Sequence, residues 1–111
     1  MAKKRRQKGK KTEQEDLVKV DIFYIPEAQA EMYQVLRDAI AMDVEEILES
    51  TYHHVDRVFD EDEGEAVAAF DENNNEQARL YLNPTNISQG QTARDKGQLD
   101  KFLDTHLIKK A

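Results

Sequence analysis

The stretch TYHHVDRVFDEDEGEAVAAFDENNNEQARLYLNP, residues 51–84, decides the fold. Three segments with strand character, 52–59, 65–71 and 77–82, are punctuated by two clusters of turn-forming residues, Asp60-Glu61-Asp62-Glu63-Gly64 and Asn73-Asn74-Asn75. β-Branched and aromatic side chains suit a pleated, half-buried surface, whereas Asp, Asn and Gly suit tight reversals. Short reversals make consecutive strands antiparallel, so the stretch predicts a three-stranded meander. In its third segment Ala78, Leu80 and Leu82 alternate with Gln77, Arg79 and Tyr81, the pattern of a strand with one buried face.

Upstream, residues 17–25 read LVKVDIFYI, and Val18, Val20, Ile22 and Tyr24 fall on one face of an expected single strand. Pro26 ends it and suits the first turn of a helix, with Glu27 and Glu31 near the positive helix end. From Ala28 the apolar spacing turns helical, through Met32, Val35/Leu36, Ala39/Ile40, Val44 and Ile47/Leu48. That stripe serves equally one helix over 26–50 or two helices jointed near Asp43, where Asp43-Val44-Glu45-Glu46 has capping-box spacing. Downstream, Asn83-Pro84 closes the meander and 85–92 reads as a polar loop. Thr92 or Asp95 would cap a final helix carrying Leu99, Phe102, Leu103, His106 and Leu107 on one stripe, its first turn weakened by Gly97. The expected order is β-α-β-β-β-α. This is an α+β fold, an antiparallel sheet with helices packed on one face, forming a single domain over 16–111 behind a disordered basic tail over 1–15.

Charge divides the chain differently. Residues 1–11, MAKKRRQKGKK, carry seven cations and no anion, while residues 12–111 hold nine Lys/Arg against all 23 Asp/Glu. The formal net charge of −7 is thus a +7 segment on a −14 remainder. Thirteen acids lie within 43–76 beside the lone cation Arg57, and residues 79–111 return to +3. Lys3, Lys4, Arg5, Arg6, Lys8, Lys10 and Lys11 are the candidate nucleic-acid contacts. Such cations displace counterions from phosphates without reading bases, and full engagement predicts a log–log salt slope of about −3 to −6. Asp56, Asp60, Glu61, Asp62, Glu63 and Glu65 are the candidate contacts for a protein partner with a basic surface. The plainer readings are a solubilising arm, an arm folded onto its own acidic hairpin, and a solvated surface that protects a sheet edge.

Other chemistries find little support. With no cysteine there is no disulfide frame, thiolate nucleophile or Cys-ligated zinc. His53 and His54, adjacent on a strand, point to opposite faces, and His106 sits on the apolar stripe of the last helix, so no metal site is expected. A calcium loop started at Asp71 has Glu76 where Gly belongs and Leu82 where a bidentate Glu belongs. Ser50 and Ser88 lack a nucleophile-elbow context, and the glycines form no phosphate cradle. Helix, meander, helix over 26–110 is the element order of double-stranded-RNA-binding modules, but the acidic hairpin would meet the RNA and argues against that role.

Thr12-Glu13-Gln14-Glu15-Asp16 follows the basic segment where a signal peptide needs an apolar run, and no apolar run reaches membrane-spanning length. The expectation is a cytoplasmic, non-enzymatic accessory or regulatory protein without cofactor. Its acidic domain binds a protein partner and its tail contacts DNA or RNA without sequence specificity. The alternative is an inhibitor or immunity-type protein whose acidic 43–76 face mimics nucleic acid or blocks a basic partner. Exposed sheet edges make a homodimer a further candidate.

Overall fold

The computed structural model describes residues 16–110; the 1–15 segment, with its expected disorder, and Ala111 lie outside the described residues. The architecture is α+β, with helices covering one face of an antiparallel meander. The first departure from expectation comes at Asp21. Residues 17–25 are not one strand but a hairpin, β1 (Leu17–Val20) and β2 (Phe23–Pro26), with Val20 opposite Phe23 and Val18 opposite Ile25. Asp21 turns the chain in the left-handed region (φ 62°), which a short polar side chain tolerates better than most. Its carboxylate accepts a 2.6 Å hydrogen bond from the Glu65 backbone N–H, so the turn is held by a distant strand. The reversal resets the faces. Val18, Val20, Phe23 and Ile25 meet the core, and Tyr24, expected beside Val18 and Val20, is 65% exposed.

Helix α1 runs unbroken over Glu27–Glu49. The joint near Asp43 does not form, because the Asp43 carboxylate takes a 2.6 Å ion pair with Arg94 instead of capping its own backbone. The core face of α1 is Ala30, Tyr33, Ile40, Ala41, Val44 and Leu48. The single stripe expected from Ala28 therefore splits: Ile40, Val44 and Leu48 go inward, while Met32 and Val35 face out.

Strands β3 (His54–Asp60), β4 (Gly64–Phe70) and β5 (Glu76–Tyr81) form the expected meander, with a bulge between Ala69 and Phe70. Register places Val55, Val67, Ala69, Ala78 and Leu80 on the face that meets the helices. Asp71 shapes the second turn, its Oδ1 accepting from the N–H groups of Asn73 and Asn75, with Asn74 left-handed at φ 64°. The 85–92 segment, expected as a loop, lies inside a helix, α2 (Pro84–Asp95). Asn83 is its N-cap, its Oδ1 accepting from Asn86 N–H at 2.8 Å, and Pro84 occupies the first turn. Gly97 (φ 68°) ends α2 rather than weakening the next helix. Gln98 N–H returns to the Ala93 carbonyl and Gly97 N–H to that of Arg94, a Schellman closure.

Helix α3 (Leu99–His106) starts from Gln98, not from Thr92 or Asp95. A two-residue strand, β6 (Ile108–Lys109), then pairs with β5 as a fourth strand that the β-α-β-β-β-α order lacks. The core joins all three helices to one face of the sheet, with Ile40, Val44, Val67, Leu80 and Leu82 fully buried. Each such side chain contributes about 1.5–3 kcal/mol of burial free energy. On the other face β4 carries Phe70 at one end and otherwise only Gly64, Ala66 and Ala68, and Tyr81 and Arg79 of β5 reach across these small residues to Asp60 of β3, at 3.4 Å and 3.7 Å.

Candidate functional site

The six acids expected to form one partner surface occupy three environments. Asp60 shapes the turn, its Oδ1 accepting from Asp62 N–H at 2.7 Å and Glu63 N–H at 3.0 Å while Oδ2 faces Tyr81 and Arg79. Glu61, Asp62 and Glu63 project from the hairpin tip and are exposed. Asp56 is exposed on the outer sheet face, 3.8 Å from His54. Glu65 points the other way, toward α1, with its carboxylate 3.7 Å from Arg37. Glu61, Asp62 and Glu63 at the hairpin tip are thus exposed, Asp56 is exposed but accepts from the Arg57 backbone N–H at 2.9 Å, Asp60 is committed to the turn, and Glu65 belongs to the interior seam. The basic residues Lys3, Lys4, Arg5, Arg6, Lys8, Lys10 and Lys11 lie outside the described residues.

Hydrogen bonds from the Asp62 and Glu63 backbone N–H groups favour the charged form of Asp60 and hold its carboxyl below the ordinary value. A lowered folded-state value contributes stability that is fully present above the ordinary 3.8 and is lost as pH falls through the folded value. Asp60→Asn keeps an oxygen for the turn but removes the titration. The expected outcome is a shallower loss of urea resistance between neutral and strongly acidic pH than in the parent protein. Parallel curves would contradict the assignment.

Arg57, the lone cation of the acidic middle, is claimed by α1. Its Nε donates to Glu45 at 2.7 Å, and Asp38 lies 3.9 Å away. The bond to Glu45 raises the Arg57 pKa, as the Glu76 carboxylate does for Arg79. With both cations paired internally, the exposed acids of the hairpin tip keep their negative field.

An inner charge cluster escaped the sequence reading. Asp21, only 3% exposed at its side chain, lies 3.7 Å from Arg37, which also faces Glu65 and sits 5.7 Å from the Tyr33 ring centre. These residues tie hairpin β1–β2 and strand β4 to α1. Burial raises the Tyr33 pKa, and its hydroxyl donates to the Leu82 carbonyl at 2.9 Å. The available signal was Asp21 itself, a charged residue interrupting an apolar run, where a turn is the cheapest way to supply partners.

Two further features complete the surface. His106 stacks on Phe102 at 4.2 Å with Nε2 2.7 Å from Gln89 Oε1, and His54 packs against Phe70 at 5.5 Å. Between β2, the first half of α1 and α2 runs an open groove of about 620 Å³, lined by Ile25, Pro26, Met32, Leu36, Ile87 and Thr92 among others. Its walls are mainly apolar, with no charged residue among them. Among the described residues no three His, Cys, Asp or Glu side chains converge on a point that would hold a metal ion, and no helix is long and apolar enough to cross a membrane. No protein-family model, curated protein or solved structure matches the chain.

Proposed function

We propose that the chain is a non-enzymatic accessory protein whose acidic α+β domain holds a basic protein partner while residues 1–11 contact DNA or RNA. The observation that carries this reading is charge segregation: seven cations without an anion in 1–11, and thirteen acids beside one arginine in 43–76. The exposed Glu61, Asp62 and Glu63 and the internal pairing of Arg57 and Arg79 support it. The reading goes with a cytoplasmic location and no cofactor.

Anisotropy titration of labelled duplex DNA and RNA, with the full chain and a version lacking residues 1–11, tests it. The full chain is expected to bind at low salt with a log–log slope of about −3 to −6, and the shortened chain to lose that binding. Equal, negligible binding by both would end the anchoring idea. A second reading rests on the hairpin tip alone, as an inhibitor that imitates a phosphate backbone. In that case neutralising Glu61, Asp62 and Glu63 together abolishes capture of the basic partner, whereas removing residues 1–11 leaves it intact.

A further inference from the structure

Helix α1 carries a second apolar seam that the other described elements leave uncovered. Ala28, Met32, Val35, Ala39 and Met42 recur at alternating spacings of four and three, the 3.5-residue repeat that keeps a seam facing a neighbouring helix. Met32, Val35 and Met42 are 67%, 62% and 63% exposed. At 3.6 residues per turn this line runs opposite the core face of Ala30, Tyr33, Ile40, Val44 and Leu48. Ala28 and Met32 also line the apolar groove, so the seam and the groove are continuous. Isolated exposed apolar residues need no explanation, but an ordered seam running into a groove does.

The charges around the seam say what covers it. Glu31, Asp38 and Glu45 border it on one side, Glu45 already paired with Arg57 and Asp38 3.9 Å from it, and beyond Met42 the same line continues as Glu46 and Glu49. A second copy of this chain is a poor occupant. Parallel packing would set Glu46 and Glu49 against their own counterparts, and antiparallel packing would set Glu31 and Asp38 against theirs. The segment 1–11 has complementary charge, but beyond Met1 and Ala2 it has no apolar side chain to enter the seam. We infer that α1 and the groove beside it receive an amphipathic helix of a partner protein, with apolar residues at 3.5-residue spacing flanked by lysine or arginine.

This is helix-in-groove recognition. It goes beyond the proposed function by assigning a helix-binding contact on α1, distinct from the β3–β4 hairpin, and it rests on that reading only for the partner being basic. About 21 Å of helix axis separates Ala28 from Met42, enough for four turns of a partner. Apolar contact supplies the affinity there, and the acidic border selects against acidic helices.

The test uses the full chain and three labelled synthetic helical peptides, each about three heptads long. The first has Leu at both seam positions and Lys at the flanks, the second replaces Leu by Gln, and the third replaces Lys by Glu. The Leu/Lys peptide is expected to bind at least about tenfold more tightly than either control. Met32→Glu and Val35→Glu, both at exposed sites, are each expected to weaken it by at least about tenfold, while Asp62→Asn with Glu63→Gln changes it less than about twofold. Val35→Gln keeps the test decisive if a charged variant melts early.

Equal binding of the Leu/Lys and Gln/Lys peptides would reduce the effect to general charge attraction and overturn the inference. So would binding indifferent to Met32 and Val35, or a full-chain dimer that Val35→Glu dissociates. Failure here together with hairpin-dependent capture of a basic partner from native lysate would leave the proposed function standing and remove only this site.

Discussion

Gly64→Ala is expected to lower the unfolding free energy by about 3 kcal/mol, visible as a shift of the urea midpoint at constant slope. Two effects add. The residue holds φ +92°, a conformation that a side chain makes strained, and a Cβ placed there would stand 2.7 Å from Asp21 Oδ2 and 3.2 Å from Phe23. The carboxylate would have to leave, breaking its 2.6 Å hydrogen bond to Glu65 N–H and disturbing its approach to Arg37. A charge-assisted bond of this kind is worth about 1.5–3 kcal/mol, and leaving a nearly buried carboxylate short of partners adds to the loss. The two sites are coupled, so Asp21→Gly should cost less in the Gly64→Ala background than in the parent. A loss below about 1 kcal/mol would show that the β1–β2 turn is not pinned through Gly64.

The second large effect concerns the crossing of α1 and α2. Ile40 is fully buried, and a Cβ at Gly90 would lie 3.4 Å from its Cγ2 and 3.6 Å from Phe102. Ile40→Ala opens a cavity at that close approach, with an expected loss of about 3–4 kcal/mol. The loosened α2 should also blunt the groove wall at Ile87, so binding of the Leu/Lys helix should weaken as well. Gly90→Ala places a methyl in ordinary but tight contact and improves helix propensity by up to about 1 kcal/mol, leaving the single variant near neutral. In the Ile40→Ala background the same methyl occupies part of the cavity. The double variant is therefore expected to be more stable than Ile40→Ala alone, as read from thermal and urea unfolding. Strict additivity would mean that α2 does not rest on α1 at this point.

Much of this fold was legible in local pattern. The alternation of Ala78, Leu80 and Leu82 placed β5 correctly, and the Asp60–Gly64 and Asn73–Asn75 clusters marked both turns of the meander. The last helix was legible from Leu99, Phe102 and Leu103. Helix α2 was not, because only Ile87 and Gly90 of its twelve residues are buried and the rest of TNISQGQTARD offers no apolar stripe. Its local signal was Asn83-Pro84, a cap followed by a first-turn proline, which serves as well to stop a strand. What makes it a helix is packing on distant elements, with Gly90 close against Ile40 of α1 and Phe102 of α3 and Ile87 buried in the common core.

The candidate site was legible only as charge. That the acids concentrate in 43–76 follows from composition, but their division among turn, tip and interior depends on register. Glu65 shares its face with Val67 and Ala69, and those residues face α1, so its carboxylate meets Arg37. Asp60 sits where Arg79 and Tyr81 can reach it over the small residues of β4.

Periodicity, turn residues and charge runs are properties of neighbours along the chain, and they were sufficient for the meander, for the helical character of 26–50 though not for its being one helix, for the apolar stripe of α3, and for the contrast between a basic segment and an acidic remainder. Which side of α1 is buried is a different kind of property. Both of its apolar lines satisfy helical spacing, and the choice between them is made by the area each can bury against Val67, Leu80 and Leu82. The same holds for Asp21, whose turn is stabilised by Glu65 and Arg37 rather than by adjacent residues. Burial and pairing across distant elements outweigh local preference because they remove more apolar surface, and satisfy more charge, than any single turn of backbone can.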